Sequence, residues 1–353
     1  MFGIEMGVLI TLLLKNQIYV MYLVFVMLIA GITKKYNLFS DFFGFINTKI
    51  KSKKLIIFLT SMVSGMMPVP GRVTVTAGLL DNIAPSREDN PKKRAKFGII
   101  DYLSTHHYYL WSPLEKSIII PMAALGLTYS ALMSIIWPLL LVTVIIVAGY
   151  IIYFVKEEDI IFENIKKDYS ITNLIKNVFP FFTGIGFLIA GFNPALVFGV
   201  VFAYYFAFNR INWKETYEFI NFKLVFALMG IIGLTNIIKA NTVVITNYVI
   251  TLGLTMDTLF GFGAISLVAF VSAFLMGSSS RYAGIVALLS TTFGIQYLVY
   301  FIAVEFSAYL VSPFHKCFMI GKMYFGTPLK EYYKVIGIWI IVLILTGGLL
   351  VVF

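Results

Sequence analysis

Charge is scarce in this chain: 12% of its 353 residues are Asp, Glu, Lys or Arg, against 59% hydrophobic. Soluble domains carry about a quarter charged residues, so the composition points to an integral membrane protein. Cysteine is almost absent. Cys317 stands alone, which excludes an intramolecular disulfide. The chain also lacks the short alternating apolar segments of a membrane barrel; its apolar runs are long, as spanning helices require. No Walker, Rossmann, zinc-protease or Gly-x-Ser-x-Gly signature occurs. The glycines fall in helices and breaks rather than in phosphate-cradling loops. No enzyme is therefore expected, and a membrane-embedded one built on His106, His107 and Asp101 would lack a nucleophile or metal constellation. No basic leader precedes the first apolar run and no small-residue cleavage site follows it. Targeting is thus expected to rest on the first transmembrane helices themselves.

Bases outnumber acids, 27 Lys and Arg against 17 Asp and Glu. Apolar segments fall at 2–14, 17–33, 55–81, 97–125, 130–155, 171–190, 194–209, 220–240, 258–292, 296–320 and 332–353. Segment 55–81 has lysines and arginines on both sides, which one crossing cannot satisfy under the positive-inside rule. A re-entrant hairpin removes the conflict. Each arm, near 55–67 and 73–82, would reach about 18 Å into a ~30 Å hydrocarbon core, and an α-helix cannot continue through Pro68-Val69-Pro70-Gly71. Segment 258–292 reads the same way, with arms 264–276 and 282–292 around Gly277-Ser278-Ser279-Ser280. Most basic residues then sort to the cytoplasm, with Lys15 and Lys239 outside. Only Arg72, Lys116, Arg281 and Lys316 remain inside apolar segments. The net charge of +10 is thus topology, and no nucleic-acid partner is expected.

Those four cations sit in repeated settings. Tyr109-Leu110-Trp111-Ser112-Pro113-Leu114-Glu115-Lys116 returns as Tyr309-Leu310-Val311-Ser312-Pro313-Phe314-His315-Lys316, with five of eight positions identical. The expected fold is all-α and membrane-integral, an inverted-topology repeat of about nine transmembrane helices plus two re-entrant hairpins and two broken helices. Repeat 1 spans 1–155, with hairpin 55–82 and broken helix 97–125. A one-helix linker, 156–193, joins it to repeat 2 at 194–353, with hairpin 258–292 and broken helix 296–320. The N-terminus is placed in the cytoplasm and the C-terminus outside, in the cell membrane. The run Leu38–Phe45 reads as an interfacial amphipathic helix.

Inverted repeats with broken helices build binding sites near the midplane. Helix N-termini present backbone N–H donors that favour anions. The expected substrate contacts are therefore Gly71, Arg72, Ser112, Lys116, Ser278, Ser279, Ser280, Arg281, Ser312 and Lys316. Asp101, Thr105, Tyr108 and Ser112 share one helix face, as do Glu305, Tyr309 and Ser312. The coupling candidates are Asp101, His106, Glu115, Glu305 and His315; Glu115 and His315 occupy equivalent repeat positions, each able to change charge. A second reading pairs Arg72 and Arg281 with Glu115, Asp101 or Glu305, tying hairpins to broken helices without making a binding site. Lys316 can likewise snorkel to an interface. His106 and His107 lie about 100° apart on a helix and do not suit one metal ion together, so no metal site and no cofactor are expected.

The pattern resembles the ion-transporter superfamily, which includes divalent-anion/sodium symporters and arsenite, citrate and gluconate permeases. More narrowly, it resembles an archaeal and bacterial branch known as domain of unknown function 401. That branch carries a Leu-Pro-Met-Pro-Gly-Gly tip and then an Asn-Tyr-Trp-Phe-Arg-His-x-Trp-Glu segment. The counterparts are Met67-Pro68-Val69-Pro70-Gly71 and Asp101-Tyr102-Leu103-Ser104-Thr105-His106. Thr105 stands where the branch has arginine, and Arg72 where it has the second glycine. The resemblance implies a scaffold and a mobile transport domain, elevator-type motion, a homodimer and often sodium coupling. Ser64, Thr74 and Ser278 to Ser280 would then be candidate Na+ contacts.

The expected function is secondary active transport of a small anion, a carboxylate or oxyanion, coupled to Na+ or H+. The alternative is a channel, since two opposed hairpins also build pores. Four intramembrane cations and two charged helix breaks favour alternating access over a pore.

Overall fold

The computed structural model describes residues 17–66, 72–85, 90–161, 168–209 and 211–352. The first apolar segment, Lys15, and the first hairpin tip with Gly71 lie outside the described residues, as do the side chains of Arg72, Thr74 and Lys316. Among the described residues the fold is all-helical, with no strand.

The helices run in the order α1 (Gln17–Lys35), α2 (Ser40–Lys49), α3 (Lys53–Met66), α4 (Arg72–Asp81), α5 (Pro91–His106), α6 (Lys116–Leu125), α7 (Tyr129–Phe154) and α8 (Ile171–Ile189). There follow α9 (Pro194–Phe208), α10 (Phe222–Ala240), α11 (Thr242–Thr251), α12 (Leu259–Met276), α13 (Ser279–Phe293), α14 (Leu298–Val311), α15 (Lys316–Phe325) and α16 (Leu329–Val352). Their starts are written locally. Asn90, Thr128, Ser170, Asn193, Asn221 and Thr258 each accept a backbone N–H of the helix that follows, which satisfies one of the orphan donors at a helix start. Pro91 and Pro194 take the first-turn positions where a missing N–H is harmless.

Six described helices, α1, α7, α8, α10, α12 and α16, are long and apolar enough to cross a membrane. Large apolar side chains stay exposed on them, including Ile145 on α7, Leu267 on α12 and Ile341 on α16. Apolar exposure on that scale suits hydrocarbon rather than water. Pro194–Phe208 is apolar but shorter. The segment read as an amphipathic helix, 38–45, leads into the ten-residue α2, with Phe43, Gly44 and Ile46 buried.

The core lies around the two broken helices. Every residue of α14 from Leu298 to Leu310 is buried, as is every residue of α5 from Phe97 to His106. The close contact between α14 and α16 is set by Gly347, where an added Cβ would come within 2.6 Å of the Ala303 Cβ. Trp339 on α16 donates to the Thr143 hydroxyl on α7 at 3.2 Å.

The second hairpin differs in detail from the sequence reading. The break is confined to Gly277 and Ser278, while Ser279, Ser280 and Arg281 already form the first turn of α13. Gly277 takes the left-handed conformation, φ 53°, that ends α12, and extended Ser278 takes the N-cap position of α13. One glycine is enough to reverse the chain. The arms are correspondingly longer, and the 18-residue α12 reaches about 27 Å, nearly the hydrocarbon thickness. Helix α11 has no counterpart in the sequence reading, because its Thr- and Asn-containing sequence shows no strong period.

Candidate functional site

Both repeated octapeptides break a helix at the same serine-proline step. After α5 the chain tightens into a 3-10 turn at His107–Leu110, and α6 starts only at Lys116. In this break the Glu115 N–H donates to the Ser112 carbonyl at 2.9 Å, and the Leu114 N–H donates to the Ser112 hydroxyl at 3.4 Å. In the second, the His315 N–H reaches the Ser312 carbonyl at 3.1 Å, and the Phe314 N–H the Ser312 hydroxyl at 3.3 Å. Pro113 and Pro313 supply no N–H, so neither helix can continue, and the serine oxygens close a local turn instead. Glu115 and His315 thereby become the N-cap residues of α6 and α15. The equivalent tyrosines meet: Tyr309 donates its hydroxyl to that of Tyr109 at 2.9 Å in the buried centre.

The hairpin tip between α12 and α13 lies against both breaks. Ser279 donates to Glu115 Oε1 at 3.0 Å. Gly277 packs so tightly on the second break that an added Cβ would meet the Phe314 Cβ at 2.8 Å. Ser312 donates to the Phe274 carbonyl near the end of α12 at 2.5 Å. Each hairpin packs on both broken helices: α13 of the second lies along α6 as well as α14, and α4 of the first lies along α15 as well as α5. Of the other expected contacts, Ser278 and Ser280 face each other at 3.3 Å, Arg281 is exposed, and Lys116 is half-buried beside buried Glu115.

The first hairpin is held from several sides. Ser64 on α3 and Thr76 on α4 share a hydrogen bond of 2.6 Å across the arms. His107 donates from Nε2 to the Met62 carbonyl at 3.0 Å and accepts the Trp111 indole N–H at Nδ1, 2.8 Å away. That histidine fastens the hairpin to the break. Gly65 allows the same approach, since a Cβ there would lie 3.0 Å from the Ser104 carbonyl. Beyond α4, buried Arg94 binds Asp81, the Pro85 carbonyl at 2.8 Å and the Tyr324 carbonyl at 2.9 Å.

A family model described as Protein of unknown function (DUF401) matches residues 4–353, nearly the entire chain. The chain belongs to this family. No match was found among curated proteins. The branch read from the Pro-x-Pro-Gly tip is therefore right for this DUF401 protein at the level of the family.

Two carboxyl groups lie within the core of this DUF401 protein. Asp101 on α5 is 1% exposed and Glu305 on α14 is 0% exposed, and neither carboxyl has a hydrogen-bond partner among the described residues. Their helix-face companions Thr105, Tyr108, Ser112, Tyr309 and Ser312 are buried with them. An ionised carboxylate in such surroundings carries a desolvation cost that a proton or a cation removes. No described acidic group forms an ion pair with Arg281.

His106 and His315 come together although 209 residues separate them, with their Nε2 atoms 3.2 Å apart. Cys317 joins them: one ligand atom from each of the three lies within 4.8 Å of the others. Sequence reasoning places His106 and His315 among the coupling groups but does not connect them. It also passes over Cys317 and Thr76, because helical spacing says nothing about which break faces which.

Proposed function

We propose that this protein is a secondary active transporter of a small anion, a carboxylate or oxyanion, working by alternating access and coupled to H+ or Na+. The observation that carries the proposal is the hairpin tip Gly277–Ser279 seated between two matched helix breaks. Three half-helix N-termini, of α6, α13 and α15, start at this junction, and such ends attract anions through their N–H groups and dipoles. Lys116 and Arg281 add positive charge beside two of them, and the hydroxyls of Ser278, Ser279 and Ser280 offer donors.

The reading of the chain as an inverted repeat is supported by the matching N–H bonds to Ser112 and Ser312 in the two breaks, the Tyr109–Tyr309 contact and the packing of each hairpin against both broken helices. In the proposed arrangement the hairpins and broken helices form the moving body of an elevator. Helices α1, α8 and α9 are the scaffold, in a homodimer with its N-terminus in the cytoplasm and its C-terminus outside. Asp101 and Glu305 are the proposed proton or sodium acceptors, since each is buried and each would lose its desolvation cost on binding a cation. Neutralising Glu115 would loosen its bond to Ser279, which gives a route from coupling ion to tip.

Uptake into proteoliposomes tests the reading. Candidate carboxylates and oxyanions are first selected by thermal shift with and without Na+, then offered under a sodium or proton gradient. Saturable uptake that follows the gradient is expected. Flux that never saturates and needs no gradient would overturn the transporter reading and favour a pore.

A further inference from the structure

The hydrogen bonds around His106 and His315 fix which ring nitrogens carry hydrogen. His106 Nδ1 lies against the Tyr102 carbonyl, which can only accept, so Nδ1 is the protonated nitrogen. The Tyr102 hydroxyl spends its hydrogen on the Leu310 carbonyl at 2.6 Å. Its lone pair can then accept from His315 Nδ1, 3.0 Å away. In the neutral rings both Nε2 atoms then carry lone pairs, and these lone pairs are aimed at each other across 3.2 Å. A cation between the two rings would be attracted by both lone pairs.

The third group identifies what suits the gap. Cys317 follows His315 by two residues, in the first turn of α15, and a ligand atom from each of the three residues lies within 4.8 Å of the others. Two nitrogens on a tetrahedral ion with bonds of about 2.0–2.1 Å stand roughly 3.3 Å apart, close to the separation seen. A thiolate needs its sulfur about 2.3 Å from the metal, so the half-buried Cys317 would close in on the ion from the present spacing of up to 4.8 Å. The Nδ1 contacts to the Tyr102 carbonyl and hydroxyl are the outer-shell bonds that orient metal-binding imidazoles.

We propose that His106, His315 and Cys317 form a binding site for a thiolate-accepting transition-metal ion of the Zn2+ class, leaving a fourth coordination position open. On binding, the Cys317 thiol loses its proton to solvent and the two imidazoles stay neutral. Because His106 ends α5 and His315 caps α15, the ion would tie the first broken helix to the second break. The site stands on its own geometry and does not depend on the transport reading.

The chain's single cysteine makes the test clean. Untagged purified protein, freed of metal by chelation, is titrated with Co2+ and separately with Zn2+. One Co2+ per chain is expected, with a thiolate-to-cobalt charge-transfer band. Zn2+ is expected to slow maleimide alkylation of Cys317 in the native chain at least about tenfold. Cys317→Ser should remove the charge-transfer band. Cys317→Ser and His315→Gln should each weaken binding by more than the tenfold lower limit typical of lost outer-shell partners, and Tyr102→Phe by about tenfold. Substoichiometric metal, unchanged alkylation in the native chain, or equal affinity in Cys317→Ser and His315→Gln would overturn the site and leave a proton shared between the two imidazoles. A lack of transport in the liposome assay would not affect any of these readouts.

Discussion

Arg94 ties the end of the first hairpin to its neighbours. It is buried, and its guanidinium reaches Asp81, Pro85 and Tyr324, joining the end of α4 to the end of α15. Arg94→Met would leave two carbonyls and a carboxylate without that donor. Hydrogen bonds involving a charged group contribute about 1.5–3 kcal/mol, so a stability loss of roughly that size is expected in thermal unfolding of the purified protein. Arg94→Lys would recover little of it, because an ammonium lacks the planar fork. Ser279→Ala belongs to the same scale: it removes the bond to Glu115 Oε1, and about a tenfold weaker substrate affinity is expected, measured by uptake kinetics. Unchanged affinity would place Ser279 outside the site. The serines and Glu115 were legible as candidates because Pro113 and Gly277 mark breaks in the sequence. Their pairing was not, since 164 residues separate Ser279 from Glu115 and no local rule brings them together.

At the scale of elements, the tip of the second hairpin depends on one glycine for two separable reasons. Gly277 has φ 53° and Gly326 has φ 66°, so both favour glycine. Only Gly277 is crowded, by Phe314 at 2.8 Å, whereas nothing lies within 4 Å of a Cβ at Gly326. Gly326→Ala is expected to cost about 1–2 kcal/mol from backbone strain alone. Gly277→Ala should cost more and also displace the tip, so that it depresses transport beyond its effect on melting temperature. Equal effects of the two substitutions would show that the Phe314 contact does no more than fill space. Proline and glycine made both breaks and the second tip readable in advance, because each removes a specific hydrogen bond or permits a specific φ. The full length of α12 was not readable: the sequence reading starts its arm at 264, whereas the Thr258 cap starts the helix at Leu259.

Two further outcomes belong to the whole molecule. The loop after α7 is clamped to α5 by Asp159. Burial alone would raise the pKa of this carboxyl, but hydrogen bonds from Lys96, the Lys156 backbone and Lys93 hold it below the ordinary value. A depressed carboxylate pKa stabilises the fold above its unfolded value, near ~3.9, and that contribution is lost as pH falls through the folded value. Asp159→Asn should therefore melt lower than the parent at pH 7, with the difference shrinking below about pH 4. Orientation is tested in a Cys317→Ser background, where Ala190→Cys, in the loop before α9, should react with an impermeant reagent from outside and Lys214→Cys only from inside. Reaction of Ala190→Cys from the inside alone would overturn the proposed orientation.

By itself the sequence determined that this chain is a helical membrane protein with two matched helix breaks. Hydrophobic run length, proline's missing N–H and glycine's positive φ are local properties that act wherever the chain later goes. Which break faces which hairpin, and that His106, His315 and Cys317 converge beside the Tyr109–Tyr309 contact, was decided only by tertiary packing. Those meetings depend on how whole helices stack, through close approaches such as Gly347 on Ala303 and Gly65 on α5 that no spacing along the chain encodes.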